Sequence, residues 1–410
     1  MGGGIITIAT AGSVDNGKST LIGRLLFDTK SIFDDQLSAI RQTSVNKGKS
    51  ELDLALFTDG LREEVDLGIT IDVAYRYFST PNRKFILADT PGHLEFTRNM
   101  ITGASNADAI IILIDVTQGI TEQSKRHAFI AGLLRIPKVI VCINKMDLIN
   151  WDHKRYQLIV DEFRSLSIRL HVENVVFIPI SALDGDNVVN RSEKLKWYEG
   201  QSLLNILESI PNPEVKNESN LRCIVQCQLG KHDSNFYYGV SILQGRLTAN
   251  STIVVYPSKK SFQISQLMSG YNEVESIESS CVGKLILDAP ELKRGDLLIS
   301  GINDPRQCLE MNSIICWLDI QNYHPKNKLV LLHVTGEYTI ESLRIEYIID
   351  LESLNNIADI QELKMNDIAK VQLILDRKMT FENYETNKEM GSFILVDPNS
   401  NRTVAAGMIR

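Results

Sequence analysis

The sequence predicts an α/β domain built on a mostly parallel, doubly wound sheet, followed by two β-barrel domains. Three observations carry that expectation. Short apolar runs alternate with helical stretches over the first half of the chain. A polar, proline-containing segment at 211–220 interrupts the pattern near the middle. Beyond it the period changes to short β-branched runs punctuated by Gly, Asn, Asp and Pro. At 410 residues there is room for two to four domains of roughly 150 residues each. The boundaries are expected at 1–212, 213–302 and 303–410.

In chain order, the first predicted strand is 5–11, Ile5-Ile6-Thr7-Ile8-Ala9-Thr10-Ala11. It runs into Gly12-Ser13-Val14-Asp15-Asn16-Gly17-Lys18-Ser19-Thr20 and then into a helical pattern, Leu21-Ile22-Gly23-Arg24-Leu25-Leu26. GxxxxGKS between a strand and a helix is a phosphate-binding loop in its required context. Its glycines permit the tight bend that turns backbone N–H groups inward toward phosphate oxygens, and the helix start adds its positive end. Lys18 can reach the β and γ phosphates, and the Ser19 hydroxyl can ligate Mg²⁺.

Strands are next expected at 72–79 and 84–89, joined by Thr80-Pro81-Asn82-Arg83, a turn short enough to imply a hairpin and one antiparallel edge strand. Asp89-Thr90-Pro91-Gly92-His93 follows at the carboxyl end of the second. There Asp89 would hold Mg²⁺ through water, and the Gly92 N–H would contact the γ-phosphate. His93, beside that contact, is the catalytic candidate, since an imidazole can orient the attacking water or accept its proton. Thr70, in Gly68-Ile69-Thr70, could ligate Mg²⁺ by its hydroxyl, with the polar stretch 41–66 as the pliable part of a switch.

Further strands are expected at 109–115, 138–143 and 175–180. Asn144-Lys145-Met146-Asp147 follows 138–143. Guanine presents two adjacent donors, N1–H and its 2-amino group, and the acceptor-only carboxylate of Asp147 matches them. Adenine would leave that carboxylate without partners, a loss that discriminates by roughly 10⁴. Asn144 would brace the phosphate loop, and the Lys145 stem would cover the ring. Ser181-Ala182-Leu183, after 175–180, would offer a backbone N–H to the base oxygen. The triphosphate is therefore GTP, and the first domain an α/β P-loop GTPase domain. Its last helix is expected at 202–210, capped by Ser202 and stopped by Pro211. Runs such as 253–256, 328–334 and 393–396 supply strands for two barrels meeting near 300–308.

Composition sets bounds: 43% hydrophobic, 23% charged, and no apolar run near the ~18 residues that span a bilayer. The opening Met1-Gly2-Gly3-Gly4 lacks the basic and apolar parts of a signal peptide, and Ile6 stands where a myristoylation motif wants Ser or Thr. A cytoplasmic protein is expected. The six cysteines form no CxxC and the seven histidines no HxxxH, so reduced structural thiols are expected rather than a zinc site. A net charge of −8 argues against nucleic acid as the main partner, although one local basic patch would suffice to bind it.

These motifs in this order, followed by two barrels, resemble the translational GTPases related to elongation factor Tu. Within them, longer stretches resemble the GTP-hydrolysing large subunits of bacterial sulfate adenylyltransferase: LIGRLLFDTKSIFDDQL from Leu21, LDLALFTDG at 52–60, GITIDVAYRYFST at 68–80, ILADTPGHLEFTRNMITGAS at 86–105 and GSFILVDPNSNRTVAAGM at 391–408. The resemblance implies a heterodimer with a smaller catalytic subunit that makes adenosine 5′-phosphosulfate and pyrophosphate from ATP and sulfate, driven by GTP hydrolysis in this chain. In agreement, residues 221–410 hold no second GxxxxGK[ST] and no SGGxDS-type pyrophosphatase loop. By position, His93 would orient water, Val14 and Ile69 would form an apolar gate around it, and Asp15 would help hold phosphate or a monovalent ion. Two switch segments depart from the family: Glu64-Val65-Asp66-Leu67 replaces an acidic-basic-acidic run, and Leu94-Glu95-Phe96 replaces Glu-Gln-Tyr. The rival expectation is an elongation factor carrying aminoacyl-tRNA, whose binding would be steeply salt-dependent.

Overall fold

A computed structural model describes residues 4–31, 54, 73–90, 97–170, 172–211, 220–232, 235–287, 292–301, 303–350, 353 and 355–410. Gly92, His93, Ile69, Thr70 and both divergent switch segments, with Val65, Leu67, Leu94 and Phe96, lie outside the described residues. So does nearly all of 41–66 and of the 211–220 segment. The chain divides into two compact units, the first Met1–Asn212 with Leu351–Ser353.

The first unit is built on six strands: β1 (Ile5–Gly12), β2 (Ala74–Ser79), β3 (Lys84–Asp89), β4 (Ala109–Asp115), β5 (Lys138–Asn144) and β6 (Val175–Pro179). Their order is β2-β3-β1-β4-β5-β6. Every pairing is parallel except the β2–β3 hairpin, Ala74 opposite Asp89 and Ser79 opposite Lys84. The expected antiparallel edge strand is therefore present. All seven residues of β4 are buried. A strand covered on both faces needs apolar residues at every position, which is why Ala109-Ile110-Ile111-Ile112-Leu113-Ile114 does not alternate.

Helix Lys18–Asp28 buries Leu21, Ile22, Leu25 and Leu26, the stripe that a 3.6-residue period places on one side. They share a core with Ile6, Ile8, Phe85, Leu87, Ile111, Leu113, Ile140 and Cys142. The last helix, Leu203–Glu208, contributes Leu203, Leu204 and Leu207 to that core, and the Ser202 side chain caps it from the Asn205 N–H. Helix Glu122–Leu133 packs on β4 and β1, and helix His153–Arg169 on β6.

Register aligns the strands' carboxyl ends: Thr10 lies beside Asp89, Gly12 beside Leu113, Asp115 beside Asn144, and Ile143 beside Pro179. The turns leaving β1, β3, β5 and β6 thus emerge along one edge. In open α/β sheets that edge, where the strand order reverses beside β1, is where ligands bind.

The second unit is all-β among its described residues. Strands between Leu221 and Ser300 form an eight-stranded sheet, and Arg246–Thr248 pairs with Ser276–Glu278; Leu247 and Ile277 from that pair join the core of Val225, Tyr238, Val240, Leu267 and Leu285. In the C-terminal part, Val330–His333, Ser392–Asp397, Arg402–Ile409, Arg306–Trp317, Ile368–Phe381 and Gly336–Ile349 pair in that order. Gly336–Ile349 then returns to Val330–His333, so six strands close a barrel. Its interior holds Ile315, Trp317, Leu331, Val371, Leu373, Leu395 and Ala405. Closure removes the unpaired edges of an isolated sheet. No cysteine is in a disulfide: Cys142, Cys223 and Cys316 are buried, Cys227 and Cys281 exposed.

Candidate nucleotide-binding site

β1 ends at Gly12, and the chain turns through Asp15 (φ 66°) and Gly17 (φ 90°) before helix Lys18–Asp28 starts. Gly17 is required twice over. Its φ lies in the left-handed region, and a Cβ there would stand 2.5 Å from Asn144 Nδ2. The loop between is tied down from outside. Asn16 Nδ2 donates to Leu113 O at 2.9 Å, and Asn144 Nδ2 donates to Asn16 O at 2.8 Å. The hydroxyls of Ser13 and Thr121 lie 2.9 Å apart, and Thr121 caps helix Glu122–Leu133 in a reciprocal box with Ser124. Val14 is half-buried and Asp15 exposed; Ser19 and Thr20 are half-buried in the first helical turn.

Helix Lys18–Asp28 has neither a side-chain cap nor an acidic residue in its first turn. Its leading N–H groups and positive end therefore face the loop with no carboxylate of the helix's own first turn to offset them. Lys18 folds back over the loop, its Nζ donating to Gly12 O at 2.9 Å and Ser13 O at 3.4 Å. Burial pulls its pKa down, while the carboxylates of Asp89 and Asp15 push it up. Asp89, at the end of β3, is 2% exposed and accepts from the Thr10 hydroxyl at 3.3 Å. Thr90 in turn donates to Thr10 O. A cation and a carboxylate thus stand at the carboxyl ends of adjacent strands.

On the other flank, Asn144 Oδ1 accepts from the Ala182 N–H at 2.9 Å, so one side chain bridges the phosphate loop and the turn after β6. Lys145 pairs with Asp115 at 2.8 Å. Burial would raise the Asp115 pKa, but hydrogen bonds from Lys145 and Thr117 outweigh it and hold the carboxyl below its ordinary range. That pairing fixes the aliphatic Lys145 stem along the wall of a pocket of about 200 Å³, lined by Gly17, Thr20, Asn144, Asp147, Leu148, Ala182 and Leu183. Asp147 sits half-buried in the 3-10 turn Met146–Ile149. Ser181 is fully buried and closes its turn by accepting from the Asp184 and Gly185 N–H groups.

The structure therefore gathers Lys18, Asp89, Asn144, Lys145, Asp147 and the 181–183 turn on one edge of the sheet. It adds residues that sequence reasoning passed over. Asp115 carried a signal, as the one charged residue closing an otherwise apolar strand. Thr121 carried only the local signal of a Thr before a helical stretch, and nothing in the sequence ties it to Ser13. Arg24 read only as a polar position in a helix, yet it donates to Ala182 O at 3.3 Å and to Leu183 O.

The comparisons agree with this geometry. A family model described as the elongation factor Tu GTP binding domain matches residues 4–222, and one described as GTP-eEF1A C-terminal domain-like matches 310–410. The chain is 42% identical over 411 residues to the bifunctional enzyme CysN/CysC of Mycobacterium tuberculosis (strain CDC 1551 / Oshkosh), covering 99% of this chain and 67% of that protein. It is 40% identical over 408 residues to sulfate adenylyltransferase subunit 1 of Saccharophagus degradans, covering 99% and 86%. The S. cerevisiae Ski7 GTPase-like domain, bound to GTP, matches with a TM-score of 0.53 at 16% identity over 100% of this chain and 98% of that one, a likeness of fold alone. By the match of its first half to the elongation factor Tu domain and by its identity to these relatives, the chain belongs to the sulfate adenylyltransferase subunit 1 family of elongation factor Tu-type GTPases.

Proposed function

We propose that this chain is the GTP-hydrolysing, energy-coupling subunit of a sulfate adenylyltransferase. Its partner is a smaller catalytic subunit that joins ATP and sulfate into adenosine 5′-phosphosulfate and pyrophosphate. The reading is carried by kinship to proteins named sulfate adenylyltransferase subunit 1 over 99% of the chain.

In this reading Lys18 exchanges Gly12 O and Ser13 O for the β and γ phosphates, and the first N–H groups of its helix take phosphate oxygens. Asp147 accepts from guanine N1–H and the 2-amino group. A buried Asp89 carboxylate facing a triphosphate calls for a cation between them. Asp89 through water, the Ser19 hydroxyl and the Thr70 hydroxyl would supply oxygen donors, the kind that suit Mg²⁺. Bound there, Mg²⁺ supplies positive charge against the phosphate oxygens. Asp15 and Val14 complete the loop on the phosphate side, and the Gly92 N–H reads the γ-phosphate. His93 orients the attacking water. His93→Ala should leave GTP affinity within a few-fold while slowing turnover by roughly 10²–10⁴; unchanged single-turnover hydrolysis would remove His93 from the mechanism.

Coupling requires the partner to bind the GTP and GDP states differently, since a ligand indifferent to state shifts nothing. No helix among the described residues is long and apolar enough to cross a membrane. From the kinship to the adenylyltransferase subunits, we place the heterodimer in the cytoplasm. The test is reconstitution. With the catalytic subunit, ATP and sulfate present, GTP turnover and phosphosulfate yield should rise together. Phosphosulfate no higher than the catalytic subunit makes alone would defeat the proposal. GTP-dependent retention of aminoacyl-tRNA on a filter would favour the elongation-factor reading instead.

A further inference from the structure

The turn after β6 is held from two sides, and only one of its holders belongs to the recognised nucleotide motifs. Asn144 takes the Ala182 N–H on one side. On the other, Arg24 reaches out of helix Lys18–Asp28, two turns beyond Lys18, with Nε to Ala182 O at 3.3 Å and its NH2 group to Leu183 O. Asp28, one turn further on, pairs with the guanidinium at 3.6 Å. Gly185 runs against the Arg24 stem: it has φ 85°, and a Cβ there would lie 3.3 Å from Arg24 Cδ. The pairs are 158 and 159 residues apart in sequence.

The backbone donors of the turn are almost all engaged. Ser181 N–H goes to Asp186 O, Ala182 N–H to Asn144 Oδ1, Asp184 N–H to Ser181 Oγ, and Gly185 N–H to Ser181 O. The Leu183 N–H has no acceptor among the described residues. A trans peptide is planar with its C=O and N–H opposed. By holding Ala182 O, the guanidinium therefore turns the Leu183 N–H away from the helix, and Ala182 and Leu183 both line the base pocket.

We propose that Arg24 is a positioning residue for base recognition: its fork on the carbonyls of Ala182 and Leu183 fixes the peptide that presents the Leu183 N–H to guanine's 6-oxo group. The idea rests on the GTP reading above and adds a strut between the phosphate helix and the base turn. Because the strut starts on the helix that cradles the phosphates, base and phosphate contacts are kept in register by one rigid element.

The experiment uses the full chain with Mg²⁺ and measures affinity for GTP, for 6-thioguanosine triphosphate and for inorganic tripolyphosphate by competition against a fluorescent GDP. Sulfur accepts a hydrogen bond poorly, so the 6-thio probe reports on the N–H at issue, and tripolyphosphate reports on the phosphate loop without a base. In Arg24→Ala, GTP affinity should fall roughly tenfold, as for loss of charge-assisted hydrogen bonds. Tripolyphosphate affinity should stay within twofold of wild type, and the preference for GTP over its 6-thio analogue should collapse toward one. Arg24→Lys, which reaches one carbonyl, should retain part of that preference and decides the matter if the alanine variant does not fold. An unchanged GTP to 6-thio-GTP ratio, or an equal loss for tripolyphosphate, overturns the proposal. A wild-type chain that ignores GTP would instead overturn the functional reading on which it rests.

Discussion

Asp147 is held in a 3-10 turn beside a lysine that is itself anchored to Asp115. A carboxylate in that place can only accept, so in the proposed reading it would select a base by the donors the base presents. Asp147→Asn puts an amide there. It can donate to the 2-oxo group of xanthine, where guanine would offer a second donor. GTP affinity should drop by roughly 100-fold or more, and xanthosine triphosphate should gain, both read by competition binding. Unchanged GTP affinity would show that Asp147 does not read the base. Asp89, Lys18, Asn144 and Asp147, each marked by its spacing after a strand, are brought to one edge of the sheet, and the proposed nucleotide chemistry would account for that spacing. Arg24, Asp115 and Asn16 as anchors were not legible in the sequence. Their partners, Leu183, Lys145 and Leu113, lie 30 to 159 residues away, and no local period encodes such a contact.

Elements followed the sequence closely where one physical rule dominates. β1, β3, β4, β5 and β6 lie within a residue or so of the apolar runs that announce them, since strands of a sheet flanked by helices are largely apolar. The hairpin of β2 and β3 was readable from its short turn, and the last helix from Ser202 and Pro211. The all-β unit was readable only as runs. Which strands meet, and that Gly336–Ile349 returns to Val330–His333 to close the barrel, depends on pairings that short β-branched segments leave open. At this scale the cap at Thr121 joins a helix start to the loop proposed to hold phosphate. It satisfies the Ser124 N–H of helix Glu122–Leu133 and also meets Ser13 in the phosphate loop. Thr121→Ala should cost about 1 kcal/mol, seen as a lower urea midpoint, and should also quicken GDP release. Thr121→Ser, which keeps the hydroxyl, should restore both. A variant that lost stability with GDP release unchanged would show that the Ser13 contact is not used.

Across the whole molecule, each unit buries an imidazole in its neutral form. His127 is 5% exposed, on the helix capped by Thr121; burial, with Lys18 and Arg126 adding to it, pushes its pKa down to about 3. His333, on the closed barrel, is held down to about 4 by burial, partly offset by its hydrogen bond to Met390 O. In the unfolded chain both titrate near the ordinary histidine value of about 6.5. Below that pH the unfolded state binds protons that the folded state refuses, so stability rises with pH and is lost on acidification. The loss begins near pH 6.5 and continues until the folded groups titrate, near 3 and 4. For His127 the slope approaches about 1.4 kcal/mol per pH unit within that window. Urea unfolding at pH 7 and pH 5 should therefore show a marked fall in midpoint for the wild-type chain. His127→Gln should flatten the pH dependence of the first unit and His333→Gln that of the second. Because the two residues lie in separate compact units, the double variant should show the sum of the two effects. Trp151 and Trp197 report on the first unit and Trp317 on the second, so the two contributions can be followed by fluorescence. If the His127 variant kept the wild-type fall between pH 7 and pH 5 in the first unit, the acid sensitivity of that unit would have to come from its carboxylates instead.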